Sequence, residues 1–132
     1  LETLRDRGGV GLKAFMCDSG IEDFPAVDLA TLRAGMQRAA ELDLLVAVHA
    51  ETVVQAGPPP DHGSVRDFLA SRPVAIELSA IRIAIALAQE TGCRLHIVHV
   101  SCGRGVALIA EARARRVDVT CDGLLPKASG QK

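Results

Sequence analysis

Three nitrogen-bearing side chains, Lys13, His49 and His99, lie in or at the ends of separate apolar runs, VGLKAFM, LLVAVHA and RLHIVHV. A lysine inside an apolar run is costly, because desolvation penalises the ammonium and lowers its pKa. The neutral amine that results can attack a carbonyl or carbon dioxide. A carbamate formed that way becomes an anionic oxygen ligand. Neutral imidazoles suit Zn²⁺ and similar divalent ions. The bland alternative is that Lys13 lifts its head into solvent or pairs with Asp18.

Other polar residues surround these three. Glu51, two residues after His49, could orient a ligand from behind it or cap a loop. Asp18, Ser19 and Gly20 follow the lysine run and could contact a substrate, or simply turn the chain. Strict alternation puts Leu95, Ile97 and His99 on one strand face. It puts His96 on the other, toward a helix layer, as a structural residue. His62 sits in a proline-rich loop without a clear partner. The CGRG step from Cys102 to Gly105 could hold an anion weakly or be an ordinary tight turn. No GxGxxG or GxxxxGK[ST] motif supports a nucleotide site.

The elements that must position these groups follow from periodicity. Apolar runs at roughly 10–16, 44–50, 94–100 and 117–121 read as buried strands. Helical spacing predicts helices from Asp28, a plausible N-cap, to about Asp43, from about Pro73 to Glu90, and from Gly103 to Arg116. A short helix could cover Ser64 to Ala70. Strands alternating with amphipathic helices imply a parallel α/β fold, with ligands bound at the carboxyl ends of the strands. An open doubly wound sheet and part of a barrel both fit this order.

Composition narrows the partners. Aromatic residues make up only 2% of 132 residues, so the core must be aliphatic. With 15 basic and 16 acidic residues the net charge of −1 offers no attraction to nucleic acid or an anionic membrane. Cys17, Cys93, Cys102 and Cys121 form no CxxC pair and read as reduced thiols. A cytoplasmic, soluble protein is the expectation. Lys13 is the one lysine before Lys127 and Lys132.

The segments GLKAFMCDSGIEDFP, LLVAVHAE and RLHIVHVSCGRG resemble the cyclic amidohydrolases, the group of allantoinases, dihydropyrimidinases, hydantoinases and dihydroorotases. The first is nearest the allantoinase branch. DFLASRPVAIELSAI resembles that family's helix before its second histidine strand. The resemblance spans Gly8 to Cys121. It implies a (β/α)₈ barrel, here a partial one of about four parallel strands across residues 1–121, with 122–132 an irregular tail. It also implies two divalent metals, usually zinc, bridged by a carboxylated lysine and a hydroxide. By motif match Lys13 would be that lysine, and His49 and His99 would bind the second metal. Ser19 and Gly20 would lie on the substrate side, and Glu51 behind the ligands.

The implied reaction is hydrolysis of a small cyclic amide, allantoin to allantoate. A hydantoinase-type enzyme and an inactive α/β piece are the alternatives. The family's HxH pair and late-strand aspartate have no match in this chain, so the implied site is incomplete. Asp122 follows the wrong strand to be that aspartate. Apolar edge strands further imply self-association or a covering barrel half.

Overall fold

The structure is a computed structural model that describes residues 1–52 and 73–123. The short helix expected at 64–70, His62 and the segment 124–132 lie outside the described residues. The elements run α1 (Glu2–Asp6), β1 (Gly11–Phe15), α2 (Leu29–Glu41), β2 (Leu45–His49), α3 (Val74–Thr91), β3 (Arg94–Val100), α4 (Gly103–Ala114) and β4 (Val119–Gly123). β4 thus runs two residues into the segment expected to be tail.

Local chemistry explains the boundaries. Asp28 accepts a hydrogen bond from the Thr31 amide at 2.7 Å and caps α2. Gly92 ends α3 in the left-handed region at φ 70°, which glycine adopts without a Cβ penalty. Pro73 stands at the N-cap of α3, where a missing N–H costs no helical hydrogen bond.

All strand pairs are parallel, in the spatial order β1-β2-β3-β4. Parallel neighbours need a crossover, and α2, α3 and α4 supply one each. A doubly wound sheet would reverse direction at a switch point. This sheet steps one way and does not close, so it is a partial (β/α)₈ barrel.

Its two faces differ. Val46, Val48, Leu95, Ile97 and Val119 are buried in one core with Met36, Ala39, Ile81, Ala84 and Ile109 of the helices. Leu12 and Ala14 pack on the edge of that core. The alternate residues, Lys13, Ala47 and His96, lie side by side in register on the other face. Among the described residues no helix is long and apolar enough to cross a membrane.

The start of α4 is tightly packed. A Cβ on Gly105 would meet Val100 Cγ1 at 2.8 Å and Ile81 Cδ1 at 2.9 Å. Both neighbours are buried side chains, so neither can swing away freely. The glycine in CGRG therefore serves helix packing. Gly105→Ala should cost about 1–3 kcal/mol by overpacking. Gly103→Ala, with nothing within 4 Å of its Cβ, should stay within about 0.5 kcal/mol. Urea unfolding of both variants tests this, and equal costs would contradict it.

Candidate functional site

Two neighbouring strands build the centre of the rim. The β1–β2 ladder pairs Phe15 with His49 and continues through the Met16 amide, which donates to the His49 carbonyl at 3.1 Å. Cys17 and Glu51 follow, two residues beyond each partner. His49 Nε2 lies 3.3 Å from Glu51 Oε2, and the Cys17 thiol approaches the same oxygen at 3.8 Å. One ligand atom from each of Cys17, His49 and Glu51 falls within 4.8 Å of the others. Phe15 flanks the imidazole, with ring centroids 5.8 Å apart.

The third strand reaches this centre through a defect. β3 carries an extra residue relative to β4 between Ile97 and Val100. His99 sits there at φ 59°, an uncommon conformation for a residue with a Cβ. Its amide donates to the Asp122 carboxylate instead of joining the ladder. The kink sets its ring 6.2 Å from that of His49. Beyond it, the Ser101 amide and hydroxyl donate to the Glu77 carboxylate at 2.6 and 2.5 Å. That tie fastens the loop after His99 to the first turn of α3.

Lys13 lies one step below, its Nζ 5.0 Å from the centroid of the Phe15 ring. Desolvation lowers its pKa from 10.5, and the charge of Asp122 opposes the shift. Asp122 is held below the usual carboxylate range, first by the His99 amide and then by the charges of His99 and His96. Asp18 is not the acid that reaches Lys13; its carboxylate accepts from the Gly20 amide at 2.9 Å.

The sequence expectations divide accordingly. His49 and His99 do meet at the rim, with Lys13 in the same face of the sheet. The assignment of His99 to the face of Leu95 and Ile97 is corrected, because the bulge breaks the two-residue period. The assignment of His96 to the helix layer is corrected as well. His96 shares the face of Lys13, with Nδ1 2.8 Å from Thr120 Oγ1. Ser19 holds its own loop: its hydroxyl accepts from the Ile21 amide at 3.1 Å and donates to the Phe24 carbonyl at 2.6 Å. Gly20 supplies a left-handed step at φ 73°. Glu51 stands against His49. Sequence reasoning missed Cys17, Glu77 and Ser101. It also gave Asp122 no part in placing His99. Cys17 follows Phe15 by the same two residues that separate Glu51 from His49, a match that gains meaning only once Phe15 is known to pair with His49.

Comparison with known proteins shows what the chain resembles. No family model matches the chain. Allantoinase from Rubrobacter xylanophilus is 53% identical over 128 residues, covering 92% of this chain and 28% of the relative. Allantoinase from Solibacter usitatus is 46% identical with the same coverage, 92% and 28%. The chain is homologous to one segment of the allantoinases. It spans a little over a quarter of the length of the curated relatives it matches. Among solved structures, L-hydantoinase (dihydropyrimidinase) from Arthrobacter aurescens superposes with a TM-score of 0.83 at 34% identity. That likeness covers 92% of this chain and 28% of the hydantoinase chain.

The lowered pKa of Lys13 has a consequence for stability. Between its folded pKa and 10.5 the unfolded chain holds a proton that the folded chain has lost. Stability should therefore rise with pH across that window and flatten above it. Lys13→Met should remove this rise while leaving the acid limb intact. Denaturant midpoints measured from neutral pH to above 10.5 check it. An unchanged slope in Lys13→Met would show that the amine is not desolvated by the fold.

Proposed function

We propose that this chain supplies one part of the barrel and of the metal site of a cytoplasmic cyclic amidohydrolase acting on allantoin. One observation carries the reading. His49 and His99 converge beside Lys13 on the open face of a partial barrel that is 53% identical to an allantoinase segment. The substrate is a small cyclic amide, and neither nucleic acid nor membrane has a role. The barrel part, whose last described strand ends at Gly123, associates with further barrel strands or with a second copy.

The residues present fit divalent metals. Two imidazoles lie within reach of one another, Glu51 stands beside the first, and the lysine is biased toward its neutral form. In this reading Lys13 Nζ attacks carbon dioxide, an N–C bond forms, and a proton leaves to solvent. The carbamate oxygens would hold two zinc ions, with His49 and His99 on one of them. Those ions supply Lewis acidity for water and the ring carbonyl when bound. The chain's own work is positional. Asp122 and the Glu77–Ser101 tie fix where His99 stands. Glu51 orients the His49 ring, an effect worth roughly 10–100-fold in metal affinity or activity elsewhere. The loop of Ser19 and Gly20 lines the substrate side.

A hydantoinase-type substrate is the second reading, favoured by the superposition on L-hydantoinase. A chimera separates the two. Residues 8–121 would replace the matching segment of the Rubrobacter allantoinase, and the zinc-loaded product would be offered allantoin, hydantoin and dihydrouracil. Allantoin turnover is expected. Lys13→Ala and His99→Ala should each lose more than the roughly 10–100-fold typical of groups one step removed from a metal. Turnover of hydantoin or dihydrouracil without allantoin would move the assignment to the second reading. A folded, zinc-loaded chimera inert toward all three would overturn both.

A further inference from the structure

We propose that His96 is a positioning residue: its imidazole steers the Asp122 carboxylate, and that carboxylate holds His99 at the bulge. The purpose of the arrangement rests on the reading of His99 as a metal ligand; its geometry does not.

The contacts join β3 to β4 on both sides of the irregularity. His96 faces Thr120 in the β3–β4 register, and its Nδ1 lies 2.8 Å from Thr120 Oγ1. Its Nε2 stands 3.7 Å from Asp122 Oδ2. The other carboxylate oxygen, Oδ1, accepts the His99 amide and lies 3.7 Å from His99 Nδ1. One carboxylate thus spans the irregular stretch of β3, with the histidine before it on one oxygen and the histidine within it on the other.

The tautomer of His96 follows from what each nitrogen faces. A neutral imidazole has one N–H and one lone pair, and an ionised carboxylate only accepts, so the proton belongs on Nε2. Nδ1 is then the acceptor, and the rotatable Thr120 hydroxyl donates to it. With the ring fixed from behind, the positive end of the Nε2–H faces Oδ2. At 3.7 Å this is an electrostatic contact rather than a hydrogen bond.

Asp122 needs such a hold. Its side chain is 54% exposed, and the terminal torsion of a carboxylate is broad and two-fold. The His99 amide holds one oxygen only. A second attraction on the other oxygen opposes the rotation that would release the amide. His96 is the better anchored of the two histidines, its side chain 27% exposed against 55% for His99. It pairs in regular register with Ala47 and Thr120, whereas His99 sits at φ 59°.

NMR of the full chain tests this, with chelator present and at mildly alkaline pH, where an ordinary imidazole is neutral. Imidazole ¹⁵N shifts should show His96 as the Nε2–H tautomer. Replacements separate its two nitrogens, because asparagine puts an amide near the Nδ1 position and glutamine puts one near Nε2. Amide exchange at His99 should accelerate by about tenfold in His96→Leu and in His96→Asn, the loss of roughly one hydrogen bond to a charged group. His96→Gln should restore the native rate, a rescue that side-chain volume alone does not predict. An Nδ1–H tautomer in the unmutated chain, a measurement that no variant's folding can spoil, would overturn the proposal. So would native exchange in His96→Leu, or a His96→Gln variant that exchanges as fast as His96→Leu. None of these readouts involves metal or turnover, so an inert chimera would overturn the allantoinase reading and leave the role of His96 standing.

Discussion

The parallel register of β1 on β2 and of β2 on β3 aligns Phe15, His49 and Val98 across the sheet, and Lys13, Ala47 and His96 one step below. The backbone hydrogen bonds of the ladder hold that alignment but do not choose it, since they would form equally well one residue out of step. It is set by the apolar residues between, Val46 and Val48 on β2 and Leu95 and Ile97 on β3, which are buried against the helices. Side chains alternate with period two, so a slip of one residue would turn Lys13 into the aliphatic core and expose Leu12 and Ala14. An unpaired ammonium there would cost far more than one strand pairing returns. The same core packing that stabilises the fold therefore sets the spacing of the groups that do chemistry.

His99 is the one rim residue this logic does not place. By simple alternation it would join Leu95 and Ile97 on the helix face. The extra residue of the bulge turns it outward instead, and Val100 re-enters the core just beyond, 3% exposed. A non-glycine residue in the left-handed region costs roughly 1–3 kcal/mol. The surroundings oppose that cost from both sides. Asp122 accepts the amide that the bulge withdraws from the ladder, and Glu77 accepts both donors of Ser101. Strain concentrated at one imidazole, and held by partners from β4 and α3, is what a ligand required at a fixed place would show.

Much of this was legible in the chain. The strands are short aliphatic runs, the caps at Asp28 and Gly92 are strong local signals, and the alternation of elements implied parallel pairing. Lys13, His49 and His99 stood out because each interrupts or ends an apolar run. The bulge was not legible, since RLHIVHV contains no glycine or proline to mark a change of period. One unmarked residue was enough to assign His96 and His99 to opposite faces, when both lie on the open face of the sheet. The triad of Cys17, His49 and Glu51 was hidden for a different reason. Its members meet only once the register between two strands is known, and register is a property of packing, not of either segment alone.

His49 is where the readings of this site converge. A neutral imidazole offers one lone pair, because its other ring nitrogen carries the proton. If Nε2 holds the proton and donates to Glu51, Nδ1 is the atom free to bind a metal, and Glu51 is an orienting group. His99 approaches the same ring with its centroid 6.2 Å away, and Phe15 lies at 5.8 Å. A proton held on Nε2 by Glu51 therefore leaves Nδ1 as the atom that can take a metal.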